Sequence, residues 1–184
     1  DDLTGRFQAR DRYVPLAQAL QLTGLDRELS AGTFTVLAPT RIALRYVGTD
    51  FSPVLFSDAE RATLRRVLRH HVIPARLDAD AFTDGAVFED LDGNALTVRT
   101  IGPVVTVNGV TLDVSDPTEA TNGVAYPLAD VLFDTIETRE RVRLSPLLAA
   151  FEDGLARTGV AQPFEALGAV TVLAVTLAAA RLGL

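Results

Sequence analysis

The stretch GTFTVLAPTRIAL, residues 32–44, decides how this chain is read. Residues 33–38 are apolar or β-branched almost throughout, the composition of a strand buried on both faces. Pro39 has no N–H to give to a central ladder, so the strand is expected to stop there. Thr40 is placed to cap a helix over residues 41–47. A near copy, GAVTVLAVTLAAA, returns at residues 168–180, with Val175 where the first stretch has Pro39.

Upstream, residues 13–29 carry Val14, Leu16, Ala17, Leu20, Leu22, Leu25 and Leu29 at spacings suited to one helical face. Gly24 is the expected stop, followed by a short further turn. Downstream, Ser57 and Glu60 have the spacing of a capping box, which predicts a helix carrying DAERATLRRVLRHHV. Leu64, Val67 and Leu68, with His71 or Val72, form its inner face. Arg61, Arg65 and Arg69 recur every four residues as an outer basic stripe with Arg66 beside it. Such a stripe is by default a solvated face; as a partner site it would suit an anionic surface.

From about residue 85 the pattern turns to short strands. Asn108-Gly109 between PVVTV and VTLDV predicts a two-residue hairpin with Val107 opposite Val110, Val105 opposite Leu112 and Pro103 opposite Val114. A slip by one residue would bury the polar set, so turn and pattern specify one register. An earlier hairpin is expected at Asp92-Gly93-Asn94, and Asn122-Gly123 marks a turn before VAYPLADVLF.

The chain of 184 residues has a net charge of −7, which argues against bulk affinity for nucleic acid or anionic headgroups. It has no cysteine, which excludes disulfides, thiolate metal sites and a Cys nucleophile. All 17 basic residues are Arg, and Lys, Met and Trp are absent, a bias consistent with GC-rich bacterial coding. With no Met, any signal peptide is expected to lie outside this sequence.

The chemistry-bearing residues are few. His70 and His71 are adjacent, so on a regular helix they point about 100° apart and cannot chelate one metal together. FEDLDGN, residues 88–94, lacks the alternating acids and distant Glu of a calcium loop. No nucleophile elbow or glycine-rich phosphate loop is present. The reading is therefore of a protein that is not an enzyme, with no catalytic residue, metal or cofactor assigned.

After Phe133 the chain turns polar in DTIETRERVR, within which residues 135–143 are read as a charged linker, and Leu144-Ser145-Pro146-Leu147 then restarts a helical pattern. Pro15 and Pro146 lie 131 positions apart, and Gly32 and Gly168 lie 136 apart. A repeat of this length means tandem domains and not a solenoid. The same repeat makes residues 167–184 the buried strand region of a second copy and not a membrane span.

Three segments, GTFTVLAPTRIAL, VLRHHVIP at 67–74 and NGVAYPLADVLF at 122–133, resemble in order the signatures of the fasciclin-type adhesion domain. The signature positions carried over are Thr35, Ala38, Pro39, Thr40, His71, Asn122 and Gly123. The chain departs from the pattern at Arg41 and Leu44, at His70 in place of the usual aromatic, and at Tyr126 in place of a His. The resemblance implies an α+β fold, a fasciclin-like β-wedge of two small sheets with helices packed around it. It implies one full domain over residues 1–134 and the first part of a second over 144–184. It further implies a half-buried, hydrogen-bonded His71, and a non-catalytic adhesion or assembly module that is secreted, periplasmic or on the cell surface. The expected partner is a cell-envelope or matrix protein or glycan, met through Arg61, Arg65, Arg66, Arg69 and His70. The alternative is a carrier of a small apolar ligand such as a carotenoid. Residues 144–184 are too few to fold alone, so they dock on the first domain, self-associate with another chain, or open a longer polypeptide.

Overall fold

The computed structural model describes residues 1–45, 47, 56–136, 144 and 157. The expected linker over 137–143 and, apart from Leu144 and Arg157, the expected second copy over 144–184 lie outside the described residues.

The chain opens with α1 (Leu3–Gln8), a 3-10 turn (Asp11–Tyr13), α2 (Val14–Thr23) and α3 (Leu25–Leu29). Gly24 separates the last two with φ 69°, a conformation that side-chain-bearing residues rarely adopt. β1 (Phe34–Pro39) follows and is buried at all six positions. It runs one residue further than expected, because the Thr40 N–H takes over the bonding that Pro39 lacks by donating to the Leu128 carbonyl at 3.4 Å. Thr40 caps α4 (Arg41–Leu44), its hydroxyl accepting from the Ala43 N–H. α5 (Asp58–Arg69) begins with both reciprocal bonds of the capping box, Ser57 with the Glu60 amide and the Glu60 side chain with the Ser57 amide. Ser57→Ala removes one of them, and a loss of about 1 kcal/mol in chemical denaturation is the expected result.

The strands that follow are β2 (Val72–Ile73), β3 (Val87–Glu89), β4 (Ala95–Ile101), β5 (Val104–Val107), β6 (Val110–Leu112), β7 (Thr118–Ala120) and β8 (Gly123–Leu128). They form one mixed sheet in the order β2-β1-β8-β6-β5-β4-β3, with β7 also on β8. β1 and β8 run parallel at its centre, from Phe34 opposite Gly123 to Pro39 opposite Leu128. The two expected small sheets are thus limbs of one path, joined where β6 meets β8 through the single pair Leu112–Leu128.

The Asn108-Gly109 hairpin has the expected register, Val105 opposite Leu112 and Val107 opposite Val110, with φ 46° and 83° at the two turn residues. Pro103 and Val114 lie beyond its ladder. The second Asn-Gly differs from expectation. The turn there is Thr121-Asn122, and Gly123 is already a strand residue, paired with Ala120 and Phe34.

Alternation along the two central strands divides the core. Phe34, Val36, Ala38 and Ala125 face a helix-side cluster with Phe7, Tyr13, Leu20, Leu64 and Leu68. Leu37, Val124, Tyr126 and Leu128 face a second cluster with Ile73, Phe82, Leu96 and Val107. The sheet is covered on both faces at its centre, which is why every residue of β1 and β8 is buried.

Candidate functional site

α5 is placed by its apolar face: Leu64, Val67 and Leu68 are buried against the helix-side core. The opposite side carries the expected basic stripe, and two of its members are tied to carboxylates from other elements. Arg65 and Arg69 both reach Glu28 on α3, the Arg65 contact at 2.7 Å. Arg65 also donates to the Thr23 carbonyl at 2.6 Å, at the end of α2. Arg69 continues to Asp92 at 2.7 Å and to the Leu91 carbonyl at 2.9 Å, in the β3–β4 turn. Two arginines one helical turn apart therefore clamp α5 to the α2–α3 corner and to the hairpin. Their guanidiniums suit this because each offers several donors in a rigid plane. Arg61 donates to the Phe56 carbonyl and lies 3.7 Å from Asp58. Arg66 is the exposed member of the stripe.

His70 does not lie on the partner-facing surface where it was expected; it is 1% exposed. Its Nδ1 is 2.5 Å from an Asp90 oxygen and its Nε2 is 3.0 Å from an Asp134 oxygen. Each ring nitrogen thus has a carboxylate partner. Burial alone would raise the Asp90 carboxyl. The Asn94 side chain, His70 and the Asn94 and Asp92 amides outweigh burial and hold it below the usual carboxylate range. Asp134 in turn accepts from the Asn108 amide group at 2.7 Å, so the network runs from the β3–β4 turn through α5 to the β5–β6 hairpin.

His71 is buried as fully as His70, and not by half as expected. Its Nδ1 donates to the Val67 carbonyl at 2.8 Å, while Nε2 accepts from the Leu132 N–H at 3.0 Å. That pair of bonds defines the neutral Nδ1–H tautomer. Burial is the main cause of a pKa lowered from 6.5 to about 4, with the Val67 bond acting the other way.

The remaining signature residues hold the frame. The buried Thr35 hydroxyl donates to the Ala75 carbonyl and accepts from the Leu77 N–H, pinning the segment after β2 to β1. Ala38 and Pro39 lie opposite Pro127 and Leu128. The Asn122 side chain accepts from Leu3 N–H at 2.7 Å and donates to the Leu29 carbonyl at 2.8 Å, and its own carbonyl accepts from Phe34 N–H. It therefore ties the start of α1 and the end of α3 to β1.

Among the described residues, no group of three or more His, Asp or Glu side chains is arranged to hold a metal ion. An open cleft of about 280 Å³ is lined by Asp2, Gln8, Gln21, Asp26, Arg27 and Ser30, polar groups that do not suit an apolar ligand. No described helix is long and apolar enough to cross a membrane.

A fasciclin domain profile matches residues 11–134, two thirds of the chain. The chain belongs to the fasciclin domain family. It is 31% identical over 103 residues to the transforming growth factor-beta-induced protein ig-h3 of Oryctolagus cuniculus, and 28% identical over 103 residues to that of Sus scrofa. Each match covers 55% of this chain and 15% of the relative, so the chain spans a small part of the curated relatives it matches. Among solved structures, a domain pair from the insect cell adhesion molecule Fasciclin I aligns with a TM-score of 0.49 and 16% identity, covering 80% of this chain and 55% of that one. Fasciclin domains are adhesion-related and generally non-catalytic.

Asp90, Asp134 and Glu28 are members of these side-chain networks that the sequence did not single out, and Asn108 was singled out only as a turn residue. Asp90 alone carried a signal: in EDLDGN it stands where an Asp side chain caps a turn, here accepting from the Asp92 and Asn94 amides at 2.7 and 2.8 Å.

Proposed function

We propose that this fasciclin domain is a non-catalytic adhesion or assembly module acting outside the cytoplasm, one of at least two in tandem, which holds a cell-envelope or matrix protein or glycan. The observation that carries this reading is the fasciclin match over residues 11–134. The site's geometry supports it, because both histidines and Asp90 are committed to internal hydrogen bonds and so act as scaffold. The contact face is the outer side of α5. Arg66 leads it, Arg61 flanks it, and Arg65, Arg69 and His70 brace it from within. In a protein of net charge −7, a local basic face selects anionic partners and sets their orientation. Tandem copies add effective concentration, so weak single contacts suffice.

The test is retention from envelope extracts on the immobilised chain, repeated with Arg66→Glu. The native chain should hold a protein or glycan, and Arg66→Glu should weaken retention at least fivefold, with far-UV circular dichroism checking that the variant keeps its fold. Arg65→Glu and Arg69→Glu are unsuitable for this purpose, since each also breaks the clamp to Glu28. A native chain that retains nothing, or a variant that binds equally well, would count against the α5 face.

A further inference from the structure

Eight positions beyond Ile136, Leu144 is 1% exposed and belongs to the helix-side core of the first domain, the cluster that also holds Phe56 and Val131. Its place in the repeat gives that burial meaning. The offset of 131 that pairs Pro15 with Pro146 also pairs Tyr13 with Leu144. Tyr13 is fully buried within its own domain, packed edge-on against Phe7 with ring centroids 5.2 Å apart. Leu144, the matching position of the second copy, is instead buried in the core of the first. The residues before it, ETRERVR at 137–143, are mostly charged, so Leu144 is not the end of a continuous apolar segment. Phe133 and Ile136 are partly buried against the same cluster.

We infer that the helix-side core of the first domain is a docking surface for the segment that opens the second repeat, with Leu144 as its anchor. The two copies are then a coupled pair whose relative placement starts at this residue, and not two units on a free tether. The tether is short, so the anchor is presented at high effective concentration and one apolar side chain is enough to bias docking. This inference rests on the tandem reading, but not on the identity of any adhesion partner.

Arg139, Arg141 and Arg143 stand immediately before the anchor and offer a direct readout with trypsin on the full chain. Cleavage at these three sites should be slow in the native chain, at least tenfold faster in Leu144→Asp and a few-fold faster in Leu144→Ala. Far-UV circular dichroism of the intact variants checks that the fold survives; if Leu144→Asp does not fold, Leu144→Ala supplies the result. Equal cleavage rates in native and variant chains would overturn the inference. So would protection that disappears on dilution, since the occupant would then be a second copy. Partner retention is measured separately, so an overturned anchor leaves the α5 proposal standing, and the reverse also holds.

Discussion

Gly123→Ala should destabilise the domain by more than about 3 kcal/mol, or prevent folding altogether. A Cβ built at Gly123 would lie 1.9 Å from the Phe34 carbonyl oxygen and 2.9 Å from its carbonyl carbon. Both are backbone atoms of the neighbouring central strand, so no side chain can swing aside. The backbone at Gly123 also has φ 148°, which residues with a Cβ rarely adopt. Relief would require β1 and β8 to separate at the end where Asn122 fastens them to α1 and α3. Gly109→Ala is the matched control. There φ is 83° and nothing lies within 4 Å of the added Cβ, so only the dihedral cost remains. Urea denaturation of both variants separates the two effects, and a loss at Gly123 no larger than at Gly109 would show that the strand contact is not rigid.

The second large effect is a loss of stability in mild acid from His71. Its pKa is about 4 in the folded protein and 6.5 when unperturbed. Above pH 6.5 the ring is neutral in both states, and its contribution is fully present. As pH falls from 6.5 toward 4, the unfolded chain takes up a proton that the folded chain refuses, so stability declines. Over that window the decline is about 3 kcal/mol, and it levels off below the folded pKa. Asp90 and Asp116, both held below the ordinary carboxylate range, add their losses at lower pH. The comparison that isolates the imidazole is native against His71→Gln, with denaturant midpoints taken from pH 7 to pH 4.5. The native protein should lose stability faster with acid, and the two curves should converge. Parallel curves would mean that the buried ring titrates normally.

Much of the fold was legible because it is written in local chemistry. Ser57 and Glu60 lie three residues apart and cap α5 through their own side chains. Asn108-Gly109 sets a turn, and the valines beside it set the register. Pro39 and Thr40 mark the end of β1 and the start of α4 within two residues. The α5 face was read less well. Arg65 and Arg69 have the spacing of an exposed stripe, but Glu28 arrives from α3, and Asp92 arrives from the β3–β4 turn. A helical charge pattern records which residues share a face; it does not record whether a carboxylate from another element will cover them.

His70 makes the same point in the interior. Beside His71 it reads as one of two similar imidazoles, yet the structure gives one ring two carboxylates and the other a carbonyl and an amide. Burial of a polar ring is tolerable only when each nitrogen finds a partner, and those partners stand up to 64 positions away in sequence.

The sequence by itself determined strand β1, the Asn108-Gly109 hairpin, the caps of α4 and α5 and the family of this protein, because each depends on residues within a few positions of one another or on their periodicity. It misplaced the Asn122-Gly123 turn and ran the α5 helix on to Val72, which the structure gives to β2. Only the tertiary structure decided that the basic stripe is a clamp, that both histidines are internal, that Gly123 admits no side chain, and that Leu144 is drawn into the first core. Those outcomes depend on which distant backbone and charged groups converge once the parallel pair β1–β8 brings the chain together, and no local pattern carries that information.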